Sequence, residues 1–271
     1  MQTALEESQR PGAALRALAL ALALTLAPAL TLTGCTAWRP VTVPMQTIQN
    51  AARCASAPTT LIVMLPGAAS TPDEFVREGF VRAVRERRIA ADVTIVDAHP
   101  RYYRERSVID RLRIDIIEPA RARGYREIWL VGISLGGFGG LVYTREQPQG
   151  ISGIVAIAPY LGEGEVAKEI AAQGGLRAWR SQPAEGEPLD APLWRWLQGD
   201  AQAGVPRPPL YLGYGRADRF AAQADVLGAA LPPGHVFTAD GGHDWPPWRA
   251  VWQRMLDGMP LAHDASCAVT P

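Results

Sequence analysis

The chain has 271 residues, enough for one large α/β domain or two small ones. Hydrophobic residues make up 48% and charged residues 20%, a globular composition that excludes disorder over most of its length. Lys plus Arg and Asp plus Glu both number 27, and this balance lacks the basic excess of a nucleic-acid partner.

Arg10 and Arg16 precede an apolar run from Ala17 to Leu32. A basic region, an apolar region and small residues at its end describe a secretory signal over 1–34. The run closes on Leu32-Thr33-Gly34-Cys35, which resembles the lipobox of bacterial lipoproteins. The resemblance implies a lipid anchor on Cys35 and a site in the cell envelope. Thr36, rather than Asp, then favours the outer membrane. An ordinary signal peptide or a retained anchor helix is the alternative, but Pro28 interrupts a run already short for a span. Removing 1–34 takes away Glu6, Glu7, Arg10 and Arg16, so the remainder stays neutral. Two cysteines are left, Cys54 and Cys267. In an oxidising compartment, and with chain ends often close in space, they are expected to form a disulfide rather than stay free.

Residues 35–57 read as a tether with at most one poor edge strand, and 58–263 as the folded domain. Residues 60–65 form an apolar run that suits a strand buried on both faces. Thr71-Pro72-Asp73-Glu74 is a capping box, and one helix is expected from there to about Arg88. A strand follows at 92–97, and a long helix from about Ser107 to Arg123. A third strand over 127–133 runs directly into Ser134, with a helix at 136–144. Further strands are expected at 151–158, 209–213 and 236–238. Alternating strands and helices imply a parallel sheet covered on both faces. Between about 160 and 208 the alternation stops, and Trp179, Trp194 and Trp196 stand among Gly, Pro and Glu. This stretch is either a cap or lid insertion or a surface excursion with packing tryptophans. Residues 264–271 read as a tail.

Gly132-Ile133-Ser134-Leu135-Gly136 has the form G-x-S-x-G. Its confirming context is a strand before and a helix after, and both are expected here. The flanking glycines suit a turn too tight for side chains. A serine hydroxyl needs a base to take its proton. Of the four His residues, His243 lies in Gly241-Gly242-His243-Asp244, after the last strand, on the sheet edge that Ser134 occupies. His235 reads as a turn residue, His99 as a pocket residue at most, and His263 lies near the tail. The base needs a carboxylate to hold its tautomer. Asp218, after the fifth strand, is the first choice, with a helix N-cap as its alternative role. Asp240 and Asp244 are its rivals.

With these features the chain resembles the α/β-hydrolase superfamily over roughly 58–260. The carriers are the elbow at Gly132–Gly136, the Gly215–Asp218 loop and the late Gly-Gly-His-Asp loop. The resemblance implies a mostly parallel sheet with helices on both faces and a small cap. It implies a nucleophile at Ser134, a base at His243 and an acid at Asp218. It implies oxyanion donors at the Leu135 N–H and in the loop Pro66-Gly67-Ala68-Ala69, where Ala68 is chosen although Pro66 replaces the frequent His. The expected reaction is ester hydrolysis through an acyl-enzyme, with a small-molecule ester as substrate and neither metal nor organic cofactor. No protein partner is suggested. Tyr102 and Trp245 are candidate substrate contacts. A thioesterase or peptidase on the same fold, and a non-catalytic envelope lipoprotein that binds through the pocket, are the alternatives.

Overall fold

The apolar runs lie side by side in one seven-stranded sheet. The computed structural model describes residues 39–188, 190–199 and 207–269; the expected signal segment 1–34 and Cys35 lie outside them. The strands are β1 (Thr47–Asn50), β2 (Thr60–Leu65), β3 (Ala91–Val96), β4 (Glu127–Ile133), β5 (Gly153–Ile157), β6 (Leu210–Gly215) and β7 (Val236–Ala239). Their order is β1-β3-β2-β4-β5-β6-β7. β1 is an antiparallel edge strand against β3; every other pairing is parallel. β2, β5 and β6 are buried along their whole lengths, as unbroken apolar sequence requires of strands covered on both faces.

The helices are α1 (Pro72–Arg77), α2 (Phe80–Glu86), α3 (Pro100–Arg104), a continuous helical run α4 over 108–122, α5 (Leu135–Glu146), α6 (Glu165–Ala172), α7 (Ala191–Gln198), α8 (Ala221–Gly228) and α9 (Trp245–Gly258). Within α4, Leu112–Ile117 has π-helical form. Pro119, which has no amide to donate to the preceding turn, stands two residues beyond it.

Three elements differ from the sequence reading. The short helix α3 was not expected between the strand at 92–97 and the helix from about Ser107. The expected single helix over 71–88 is two helices, because Gly79 adopts a left-handed φ of 78° between them. Helix α9 was not anticipated. Its start carries Pro246 and Pro247, but prolines in a first turn remove no helical hydrogen bond. Beyond them Trp248, Val251, Trp252, Met255 and Leu256 form a buried stripe at helical spacing. Trp252 lies flat on Phe80, with ring centroids 5.6 Å apart, and its indole N–H donates to the Phe80 carbonyl at 3.1 Å.

The 160–208 stretch contributes α6 and α7, and Trp179, Trp194 and Trp196 are buried. The Trp194 indole donates to the Leu161 carbonyl at 3.1 Å. The Trp179 indole donates to Glu169 at 3.1 Å, so these side chains tie the described part of the stretch to itself. Among the described residues no helix is long and apolar enough to cross a membrane. Cys54 and Cys267 form a disulfide.

The topology fixes where a site can lie. From β2 the chain crosses to β3 on one side and then returns to place β4 on the other. A crevice opens outside the carboxyl ends of the strands at such a reversal. Ser134 follows β4 at that point. The loops after β2, β5, β6 and β7 share the same edge.

Candidate active site

Ser134 joins β4 to α5 with φ 53° and ψ −114°, a strained conformation for a residue with a side chain. The surroundings hold it there. Its N–H donates to the Ile157 carbonyl at 2.9 Å, and its carbonyl accepts from the Phe138 and Tyr160 amides, each at 3.1 Å. The flanking glycines are required by close approach. A methyl group on Gly132 would lie 2.2 Å from the Gly136 carbonyl oxygen, and one on Gly136 would lie 2.1 Å from the Leu65 carbonyl oxygen.

The loops after β6 and β7 are tied to each other. The Arg216 amide donates to the Ala239 carbonyl at 2.8 Å, and the Ala217 amide to the Gly241 carbonyl at 2.9 Å. The backbones approach so closely that a methyl group on Gly215 would lie 2.3 Å from the Gly241 oxygen. This contact brings Asp218 to His243. Asp218 is buried, and its Oδ1 also accepts from the Phe220 amide at 2.8 Å. His243 Nδ1–H donates to Asp218, 2.8 Å from Oδ2 and 3.0 Å from Oδ1. That fixes Nε2 as the acceptor. The Ser134 hydroxyl donates to Nε2 at 3.0 Å. The imidazole is gripped edge-to-face by Phe220 and Trp248, with centroids 5.1 and 5.0 Å away. Ser134, His243 and Asp218 thus form one hydrogen-bonded line.

No family model matches the chain, and no curated protein does. Solved structures do. The S-formylglutathione hydrolase FrmB from Staphylococcus aureus has a TM-score of 0.50 at 16% identity, over 74% of this chain and 80% of that one. Est1E from Butyrivibrio proteoclasticus has a TM-score of 0.54 at 14% identity, over 79% and 94%. The enterobactin esterase FES from Shigella flexneri has a TM-score of 0.52 at 16% identity, over 79% of this chain and 55% of that one. The fold is the α/β-hydrolase fold.

The other sequence candidates are dispersed. Asp240 is exposed and pairs with Arg216 at 2.8 Å, and Asp244 is the N-cap of α9; neither holds His243. His235 bonds the Leu210 carbonyl and stacks on Tyr211. His263 bonds the Arg87 carbonyl, and His99 is buried against Tyr102. Leu135 is the first residue of α5, so its amide has no acceptor within the helix. Ala68 is exposed on the turn after β2. Gly67 beside it sits over Ser134: a methyl group there would lie 3.5 Å from the Ser134 Cβ.

Tyr102 is corrected as a substrate contact. It is 0% exposed, and its hydroxyl bonds Thr42 at 3.1 Å, so it is core rather than pocket. Trp245 packs edge-on against Phe75, Phe80 and Trp248, one ring removed from His243. The rings nearest the line were not singled out from sequence: Phe220, Trp248, Phe138 and Tyr160. Two of them carried a readable signal. Phe220 stands two residues after Asp218, and Tyr160 stands three residues after the carboxyl end of β5, on the edge that Ser134 occupies.

Proposed function

We propose that this protein is a serine hydrolase that cleaves a carboxylic ester through Ser134, His243 and Asp218. The observation that carries this reading is the unbroken hydrogen-bonded line from Ser134 Oγ to the buried Asp218 carboxylate. The fold it shares with FrmB, Est1E and FES, hydrolases or esterases by name, supports it.

Ser134 Oγ attacks the ester carbonyl while His243 Nε2 accepts its proton. Asp218 holds Nδ1–H in place and stabilises the imidazolium. The Leu135 and Ala68 N–H groups receive the oxyanion, each contributing about 3 kcal/mol to the transition state. The C–O bond to the alcohol breaks as His243 returns the proton to the leaving oxygen. Water, deprotonated by His243, then attacks the acyl-enzyme, releases the acid and restores Ser134.

A fluorophosphonate probe should label the wild type and leave Ser134→Ala unlabelled. A well-folded wild type that takes no label and turns over no p-nitrophenyl ester would overturn the reading and favour a non-catalytic binding lipoprotein. Thioester and amide comparators decide between an esterase and its thioesterase or peptidase relatives.

From the lipobox-like Leu32-Thr33-Gly34-Cys35 we further propose that the enzyme lies in the cell envelope, anchored at Cys35. The Cys54–Cys267 disulfide supports an oxidising compartment. Palmitate labelling in the producing bacterium should mark the protein and vanish in Cys35→Ser. Equal labelling of both would remove the anchor.

A further inference from the structure

Beside Ser134 the 160–208 stretch closes a pocket of about 370 Å³ against α5. Phe138 and Tyr160 line it. The amides of both bond the Ser134 carbonyl, and the Tyr160 ring meets Phe220, which meets His243. Its charged lining is entirely acidic: Glu163, Glu165 and Asp190, with no Lys, Arg or His among the described residues that line it.

Asp190 separates this pocket from an ordinary acidic surface. It is only 9% exposed, and its Oδ2 has no hydrogen-bond partner among the described residues. It stands at the N-cap of α7, where an Asp side chain usually caps the helix, yet it makes no capping bond. Its carboxylate instead fills the space beside Gly162, where a methyl group would lie 1.9 Å from Oδ2. Burial raises its pKa above the ordinary carboxylate value, and Glu165 and Glu163 push the same way, against hydrogen bonding to its own backbone and Trp194. A buried carboxylate oxygen without a donor is costly, and a ligand that supplies one relieves that cost.

We propose that this pocket receives a primary ammonium group carried by the ester substrate, with Asp190 accepting its hydrogen bond. Phe138 and Tyr160 cover the hydrocarbon stem and offer ring faces to the cation. The Tyr160 hydroxyl donates to Glu163 at 2.5 Å, which holds that carboxylate beside the ring. Glu163 and Glu165 are exposed and draw the cation inward. An ammonium ester supplies the donor that Oδ2 lacks and a neutral ester does not, so the pocket favours the ammonium ester.

The proposal rests on the hydrolase reading, and matched esters separate the two. One pair carries the charge on the leaving group: p-aminomethylphenyl acetate against p-ethylphenyl acetate. The other carries it on the acyl group: p-nitrophenyl ε-aminocaproate against p-nitrophenyl heptanoate. In one pair the ammonium ester should exceed its neutral isostere in kcat/KM by about tenfold or more. Asp190→Asn should bring that ratio close to one by lowering kcat/KM for the ammonium ester about tenfold. Equal rates within both pairs in an active wild type would overturn this proposal alone, as would a preference that survives Asp190→Asn. A wild type inert toward every ester and toward fluorophosphonate would overturn both readings. Should Asp190→Asn fail to fold by circular dichroism, Glu165→Gln decides. Exposed and outside the Ser134 line, it should lower the ratio about twofold, and an unchanged ratio would count against the pocket.

Discussion

Gly136 has no room for a methyl group, because the Leu65 carbonyl occupies the space. The obstacle is backbone, which cannot rotate aside. Gly136→Ala must therefore displace the turn that holds Ser134 at φ 53°. A shift of about 1 Å at a nucleophile costs on the order of a hundredfold in rate. The variant should keep its circular dichroism and lose about that much kcat/KM on a p-nitrophenyl ester. Asp218→Asn should lose about ten-thousandfold in kcat by favouring the wrong His243 tautomer, whereas Asp240→Asn and Asp244→Asn should stay near wild type. High activity in Asp218→Asn would assign the acid elsewhere. At this scale the sequence was legible where covalent geometry dictates it, at Ser134 and its glycines, and where chain order restricts it, at His243 and Asp218. It was illegible where two neighbours compete for one direction. Tyr102 and Tyr103 are adjacent, yet Tyr102 turns to Thr42 while Tyr103 lies where a methyl on Gly139 would be, 2.3 Å from its hydroxyl. Only the placement of α3 against α5 decides which way each ring points.

Elements were legible in proportion to how local their cause is. The buried strands announce themselves by apolar runs, and each expected boundary lies within two residues of the observed one. The capping box at Thr71 is equally local: the Thr71 amide donates to the Glu74 carboxylate at 2.8 Å. The break at Gly79 was missed because a glycine within an apolar pattern leaves both a continuous and a broken helix open. Helix α9 was hidden behind Pro246 and Pro247, which read as a loop until the stripe beyond them is counted. The 160–208 stretch is the least local of all. Its tryptophans are held by partners ten or more residues away, Glu169 for Trp179 and Leu161 for Trp194, and no period in the sequence encodes such pairs. That stretch also carries Asp190, so the part of the site that sets substrate preference is the part that local pattern reports worst.

For the whole molecule, the segments that follow β1 and α9 meet at the sheet edge opposite Ser134. β1 runs antiparallel, so its end, Asn50, lies beside Val93 near the start of β3. Cys54 follows there, joined to Cys267 across 213 residues of sequence. Backbone contacts surround the bridge: the Ala268 amide donates to the Arg53 carbonyl at 2.8 Å, and the Ala90 amide to the Ala262 carbonyl at 2.9 Å. A cross-link enclosing so long a loop restricts mainly the unfolded chain and contributes about 2–5 kcal/mol. Ser134, Asp218 and His243 hang from the carboxyl ends of β4, β6 and β7, and the buried strands between the two edges are held by their own pairing. The double variant Cys54→Ser/Cys267→Ser should therefore melt roughly 5–15 °C lower. Its kcat and KM, measured well below that transition, should match the wild type. Thermal melts paired with ester kinetics test both halves. A changed KM at an unchanged melting temperature would mean that the bridge shapes the site, whereas the topology assigns it to the stability of a sheet whose far edge holds the chemistry.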